Sequence, residues 1–176
     1  MPLLWIDLEM TGLNPTADKI LEIAFLVTDM NLNIVFPVKR FVIYQPEEIL
    51  ANMNSWCKNQ HDASGLLAQV RHSTFSIEYV EREILQEIQK LSKPKEIYLS
   101  GNSVWVDRLF LRAYMPELDG YLHYRIVDVS TLKTLINNWY PENSLLPYKK
   151  QEKHQAEADI LESVEELRFY RKNFLE

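Results

Sequence analysis

The run Leu3-Leu-Trp-Ile-Asp7-Leu-Glu9-Met-Thr-Gly12 sets two carboxylates into an otherwise apolar stretch. Apolar residues closed by a glycine turn read as a buried strand. Residues two apart on a strand point to the same side, so Asp7 and Glu9 project together. Burying one carboxylate is costly, and a second beside it adds repulsion. A solvated edge strand would explain an isolated Asp-x-Glu pair. Further acids later in the chain point instead to a cation held between the two. An all-oxygen site suits a hard divalent ion, Mg²⁺ or Mn²⁺.

The sequence around this strand predicts an α/β fold. Ile20–Thr28 and Ile34–Tyr44, the latter interrupted at Pro37, read as two more strands joined by a turn at Asp29–Asn33. Together with the first they form an antiparallel meander. Short helices are expected between Glu47 and Ser73. An apolar stripe (Phe75, Val80, Ile84, Leu85, Ile88, Leu91) marks a helix over Thr74–Leu91, stopped by Lys93-Pro94-Lys95. Then follow a short strand Ile97–Leu99, a turn at Gly101-Asn102-Ser103 and a helix Val106–Tyr114. A strand Tyr124–Asp128 leads into a helix Ser130–Trp139. A polar loop, Tyr140–Glu152, precedes a last helix from about Gln155 to Phe174. Strands first, then alternating helix and strand, imply a mixed central sheet flanked by helices.

The chain of 176 residues, 47% hydrophobic and 25% charged, fits a single domain over 1–176. No apolar run approaches the roughly 18 residues that span a bilayer. The N-terminus lacks a basic region followed by an apolar core, so no signal peptide is expected and the cytoplasm is the expected location. Cys57 is the single cysteine, which excludes an internal disulfide and a cysteine-rich zinc site. A net charge of −6 argues against coating long duplex nucleic acid through a basic surface. It allows a short anionic substrate, because bound cations supply positive charge locally.

Asp107 falls at the start of a helix that follows a strand. That position suits an acid through the helix dipole alone, and it is also where sites form in α/β sheets. His154 and Asp159 stand five apart, roughly 140° around a helix. This spacing puts His154 on the loop before the last helix and Asp159 on its first turns. A histidine there is suited to taking a proton from water at neutral pH. Each residue alone has a plain structural reading; the ordered set carries the case.

That set resembles the DEDDh exonuclease family: Asp7 and Glu9 match the first motif, Asp107 the second, and His154 with Asp159 the third. Within it the chain is similar to the oligoribonuclease branch, through Trp5–Leu13, Leu21-Glu-Ile-Ala24, Leu26–Asp29, Gly101-Asn-Ser103, Tyr114–Leu118 and His123–Lys133. The resemblance implies a ribonuclease-H-like fold and 3′-to-5′ hydrolysis of short RNA, dinucleotides to about five nucleotides, to nucleoside 5′-monophosphates. It implies two divalent ions, with Asp7, Glu9 and Asp159 as direct ligands, Asp107 on the second ion and His154 as general base. Leu13 is the implied wedge against a base and Trp56 a stacking surface, though a core role would also suit that tryptophan. His61 is implied near the 3′-terminal nucleotide. Ser103, Arg125, Ser130 and Thr131 are implied to cap the 5′ phosphate, and Tyr124 to reach in from the partner of a homodimer. A capped groove excludes long strands. Clearance of short RNA remnants follows, as does cleavage of linear dinucleotides left by cyclic dinucleotide signalling.

The chain departs from the family at Val104-Trp105-Val106, where smaller and more polar residues are expected, and at Ala158, where relatives often carry an acid. Two rivals compete. A proofreading or ribonuclease T-like exonuclease needs a groove for longer strands, which the acidic balance and the Tyr124-Arg125 block disfavour. A non-catalytic nucleotide-binding or dimerisation module predicts loss of a site residue, and all five are present.

Overall fold

The computed structural model describes residues 1–148 and 156–175. Five strands form one sheet in the order β3-β2-β1-β4-β5: β1 (Leu3–Met10), β2 (Ile20–Thr28), β3 (Ile34–Val42), β4 (Tyr98–Gly101) and β5 (Ile126–Asp128). β1, β2 and β3 pair antiparallel, whereas β4 runs parallel to β1 and β5 parallel to β4. This is the mixed, ribonuclease-H-like sheet expected from the sequence.

Side-chain alternation along β1 divides the core. Leu4, Ile6 and Leu8 face a cluster built with α4 (Ile77–Gln89), α5 (Trp105–Tyr114) and α6 (Pro116–Tyr121). Leu3 and Trp5 face the opposite layer, made by α7 (Val129–Trp139) and α8 (Ala156–Tyr170). Trp5 is fully buried, and its indole N–H donates to Thr28 Oγ1 at 3.0 Å. Three short helices, α1 (Glu47–Ala51), α2 (Ser55–Ala63) and α3 (Leu66–His72), close a third cluster around Leu21, Leu50 and Val70. No helix among the described residues is long and apolar enough to cross a membrane.

Several boundaries differ from the sequence reading for local reasons. β3 continues through Pro37, because Pro37 and Val38 together oppose Leu26: Phe36 pairs with Val27 and Lys39 with Phe25. A bulge on an edge strand tolerates a residue without an N–H. Phe75 leaves the expected helix to bridge Ile43, and α4 starts after Ser76, whose hydroxyl accepts from Tyr79 N. The unpredicted α6 begins on Pro116, at the first helical position where a missing N–H costs nothing. β5 is shorter than expected, and a π-helical turn, Arg171–Leu175, follows α8.

Candidate active site

β4 pairs with β1 only from Leu3 to Trp5. Beyond that point β1 has lost a neighbour on one side, and there the carboxylates begin. The Leu8 N–H donates to Asp107 Oδ1 at 3.1 Å, so the first turn of α5 takes over from β4. Gly101 allows this junction: a Cβ on it would lie 2.9 Å from Ile6 O.

Asp7 and Glu9 continue the face begun by Leu3 and Trp5, the face that α8 covers. The helix lays Ala156, Ile160, Val164 and Leu167 on the sheet and brings Asp159 to its front. Asp7, Glu9 and Asp159 each offer an oxygen within 4.8 Å of the others. Three carboxylates at that spacing repel unless a cation joins them. Burial, then the charges of Asp7, Glu22 and Asp159, push the Glu9 carboxyl up to about 8. Asp107 is buried, and desolvation followed by the nearby Asp7 charge raises it well above the usual carboxylate range. It stands outside the three-oxygen cluster. An all-oxygen, electron-rich donor set fits a hard divalent ion.

Other expected site residues fall into three groups. Leu13 sits on the loop after β1, 75% exposed. That loop is pinned by Asp18, which accepts from Thr11 Oγ1 and Asn14 N at 2.9 Å each. Gly12 is needed there, since a Cβ would fall 2.5 Å from Asp18 Oδ2. Trp56 on α2 is 68% exposed, which removes the core reading. His61, on the same helix, is buried: its Nε2–H donates to Met10 O at 2.9 Å, and its Nδ1 stands 3.8 Å from Glu9 Oε2.

Ser103, Ser130 and Thr131 line one groove with Trp105, Asp128 and Leu135. Asp128 organises it by accepting from Ser103 N and Ser130 N, both at 2.9 Å. Ser103 takes a left-handed backbone (φ 51°) to reach these partners, and its hydroxyl lies 3.2 Å from that of Ser130.

Tyr124 and Arg125 stand elsewhere. They precede β5, so roughly 10 Å of strand separates Arg125 from Asp128. Because β1, β4 and β5 run parallel, the carboxylates and the Ser103 groove lie at the C-terminal ends of these strands, while Tyr124 and Arg125 precede the N-terminal end of β5. Within one chain the structure does not bring Arg125 to the serines with which the sequence grouped it. Tyr124 is 73% exposed, stacked on His123 at 4.5 Å and over the Arg125 guanidinium at 5.3 Å. His154 lies outside the described residues.

Sequence reasoning missed Glu22 and Arg40. Glu22 is the register partner of Glu9 on β2, and Arg40 holds it through two 2.7 Å hydrogen bonds. A carboxylate inside the apolar run Ile20–Thr28 was the available signal, the same one that exposes Asp7 and Glu9.

The Exonuclease family model matches residues 4–167. An oligoribonuclease from Francisella tularensis is 47% identical over 173 residues, covering 98% of this chain and 96% of its own. The chain belongs to the oligoribonuclease family. Mitochondrial oligoribonucleases from Bos taurus and Homo sapiens are each 46% identical over 171 residues, covering 97% of this chain and 72% of theirs. Among solved structures, exonuclease I from Methylocaldum szegediense superimposes with a TM-score of 0.73 at 17% identity. It covers 99% of this chain, which spans 41% of that longer protein, so the likeness concerns the fold. An E. coli exonuclease I in complex with an oligonucleotide gives 0.70 at 15% identity. As a member of this family the chain is a nuclease with an acidic, metal-type centre.

Proposed function

We propose that this oligoribonuclease-family protein is a dimeric 3′-to-5′ exoribonuclease that hydrolyses dinucleotides and slightly longer RNA to nucleoside 5′-monophosphates. The convergence of Asp7, Glu9 and Asp159 within 4.8 Å carries the reading. These three would hold Mg²⁺ or Mn²⁺ directly, with Asp107 behind them for a second ion. When bound, such ions neutralise charge on the scissile phosphate and its leaving oxygen.

The remaining roles belong to the chain. His154 takes the proton from the attacking water. Leu13 and Trp56, both exposed, seat the bases of the last two nucleotides. His61 fixes the end of β1 to α2 and thereby the pose of Glu9 beside the terminal nucleotide. Ser103, Ser130 and Thr131 receive the 5′ phosphate. Tyr124 and Arg125 approach from the partner subunit, because their own site lies at the opposite end of the parallel strands. An aromatic face and a guanidinium arriving together suit a terminal nucleotide with its phosphate. The closed groove favours short single strands over long or duplex nucleic acid. Clearance of RNA remnants in the cytoplasm, and of linear dinucleotides from cyclic dinucleotide signalling, belongs to the same proposal.

The test is cleavage of 5′-labelled RNA of increasing length, with Mg²⁺ or Mn²⁺, beside Asp7→Ala and Tyr124→Ala. Fast metal-dependent cutting of the dinucleotide, slowing with length and impaired in both variants, is the expected result. Efficient trimming of long strands that leaves the dinucleotide intact would overturn the reading in favour of a general exonuclease.

A further inference from the structure

Tyr124 presents a large aromatic face to solvent from a segment with little regular structure, and such a segment needs anchoring to hold a ring in place. The anchor is Arg108. Its Nη1 donates to both His123 O (2.9 Å) and Tyr124 O (3.0 Å), and its Nε donates to Asp119 Oδ1 at 2.9 Å. The Arg108 and Asp119 side chains are only 12% and 15% exposed, so this ion pair is largely shielded from solvent. Lys95 adds a second cation to the same segment, donating to Leu122 O at 3.2 Å and to Gly120 O. Above this frame the rings of Tyr98, His123 and Tyr124 stand in contact, with centroids 4.7 and 4.5 Å apart.

Arg108 also follows Asp107 on α5. One helix turn thus carries an acid facing its own chain's carboxylate cluster and a cation holding the segment that ends in Tyr124. We propose that Arg108, oriented by Asp119, is a positioning residue for the partner subunit's catalytic groove: it fixes the backbone that delivers Tyr124 and Arg125 across the dimer. This rests on the reading that Tyr124 acts in trans. Only a guanidinium serves, because it offers several donors in a fixed fork, whereas a lysine ammonium is a single point on a flexible stem.

The trans arrangement gives a test that a merely structural role would not pass. Heterodimers are co-expressed with two different affinity tags, purified through both, and assayed on a 5′-phosphorylated diribonucleotide with Mn²⁺. The Arg108→Ala homodimer is expected to lose roughly five- to 150-fold in kcat/KM, the range of one stacking contact, chiefly through KM. Its Mn²⁺ affinity should match wild type. Paired with Asp7→Ala, the Arg108→Ala subunit keeps an intact centre and receives an intact Tyr124, so about half of wild-type activity should return.

Full activity of the Arg108→Ala homodimer would overturn the proposal. So would failure of the heterodimer to recover, since that places the damage in the variant's own site through Asp107. Asp119→Asn keeps the side-chain shape and should show the same rescue with a smaller loss, which covers a poorly folding Arg108→Ala. A control pair, Tyr124→Ala with Asp7→Ala, separates the two levels. Recovery there without recovery for Arg108→Ala sinks the Arg108 proposal alone, and no recovery in either sinks the trans reading with it.

Discussion

Glu9 on β1 stands directly across the antiparallel pair from Glu22 on β2, and the two carboxylates share one face of the sheet. The Glu22 side chain is 4% exposed and is held by Arg40, which also donates to Gln69 Oε1 at 3.0 Å. Removing the cation would leave the buried Glu22 anion without its partner. Arg40→Ala should therefore destabilise the metal-free protein by about 2–3 kcal/mol, below the full cost of breaking a buried pair because Arg40 retains solvent contact. Urea denaturation measures this. Saturating Mn²⁺ should recover more stability in the variant than in wild type, since the cluster is then more negative.

The raised Glu9 carboxyl makes stability and metal binding depend on pH in a definite direction. An acid whose folded-state value lies near 8, above an ordinary 4.5, binds more protons folded than unfolded between those limits. Stability of the metal-free protein on this account falls as pH rises from 4.5 towards 8, with the destabilisation absent below and complete above. A cation needs the deprotonated form. Metal binding at pH 7 should release close to one proton from Glu9, and release should vanish above pH 8. Calorimetric titration with Mn²⁺ in two buffers of different ionisation enthalpy counts the protons. Equal heats in both buffers would sink the prediction.

How much of this was legible in the sequence depended on whether the signal was local. Asp7 and Glu9 announced themselves because period-2 geometry and an apolar setting act within a few residues. Asp107 and Asp159 were placed on helix starts for the same reason, and both lie on the first turns of α5 and α8. The Arg40–Glu22 pair joins residues on neighbouring strands whose register a bulge at Pro37 sets, and no short pattern encodes that register. Arg125 was grouped with Ser130 by family resemblance, yet β5 lies between them, so within one chain they stand at opposite ends of that strand. Glu166 was hidden among Glu162 and Glu165 on one helix. It is fully buried and accepts from Asn102 Nδ2 and the Tyr170 hydroxyl.

Asp107 illustrates a side chain whose charge costs the fold something. Burial disfavours its ionised form, and its structural role needs only an oxygen to accept the Leu8 N–H. Asparagine can supply that oxygen without charge. Asp107→Asn is expected to melt at or above the wild-type temperature in EDTA, while losing activity on the order of 10³-fold through several kcal/mol of lost transition-state stabilisation. Thermal unfolding beside dinucleotide turnover distinguishes this from a folding defect. A variant both less stable and inactive would mark Asp107 as structural.

Trp105, in the run Val104-Trp105-Val106, sets an indole into a groove. The indole is 57% exposed and lines the same space as Ser103, Ser130 and Thr131, opposite Leu135 of α7. The groove thus brings hydroxyls together with an indole and a leucine, which suits a nucleotide end: polar groups for the phosphate, flat hydrocarbon for sugar and base. Asp107, two residues on, points instead towards β1, so Trp105 is remote from the carboxylates along the helix circumference. Trp105→Ala should then raise KM for a 5′-phosphorylated dinucleotide on the order of tenfold and leave kcat and Mn²⁺ affinity unchanged, since an aromatic contact of this type contributes roughly 1–3 kcal/mol. Steady-state kinetics run beside analytical ultracentrifugation read both halves of the prediction. A dimer that falls apart at assay concentration would assign the indole to the subunit interface. An unchanged KM with a lowered kcat would mean that Trp105 acts on the metal centre through α5.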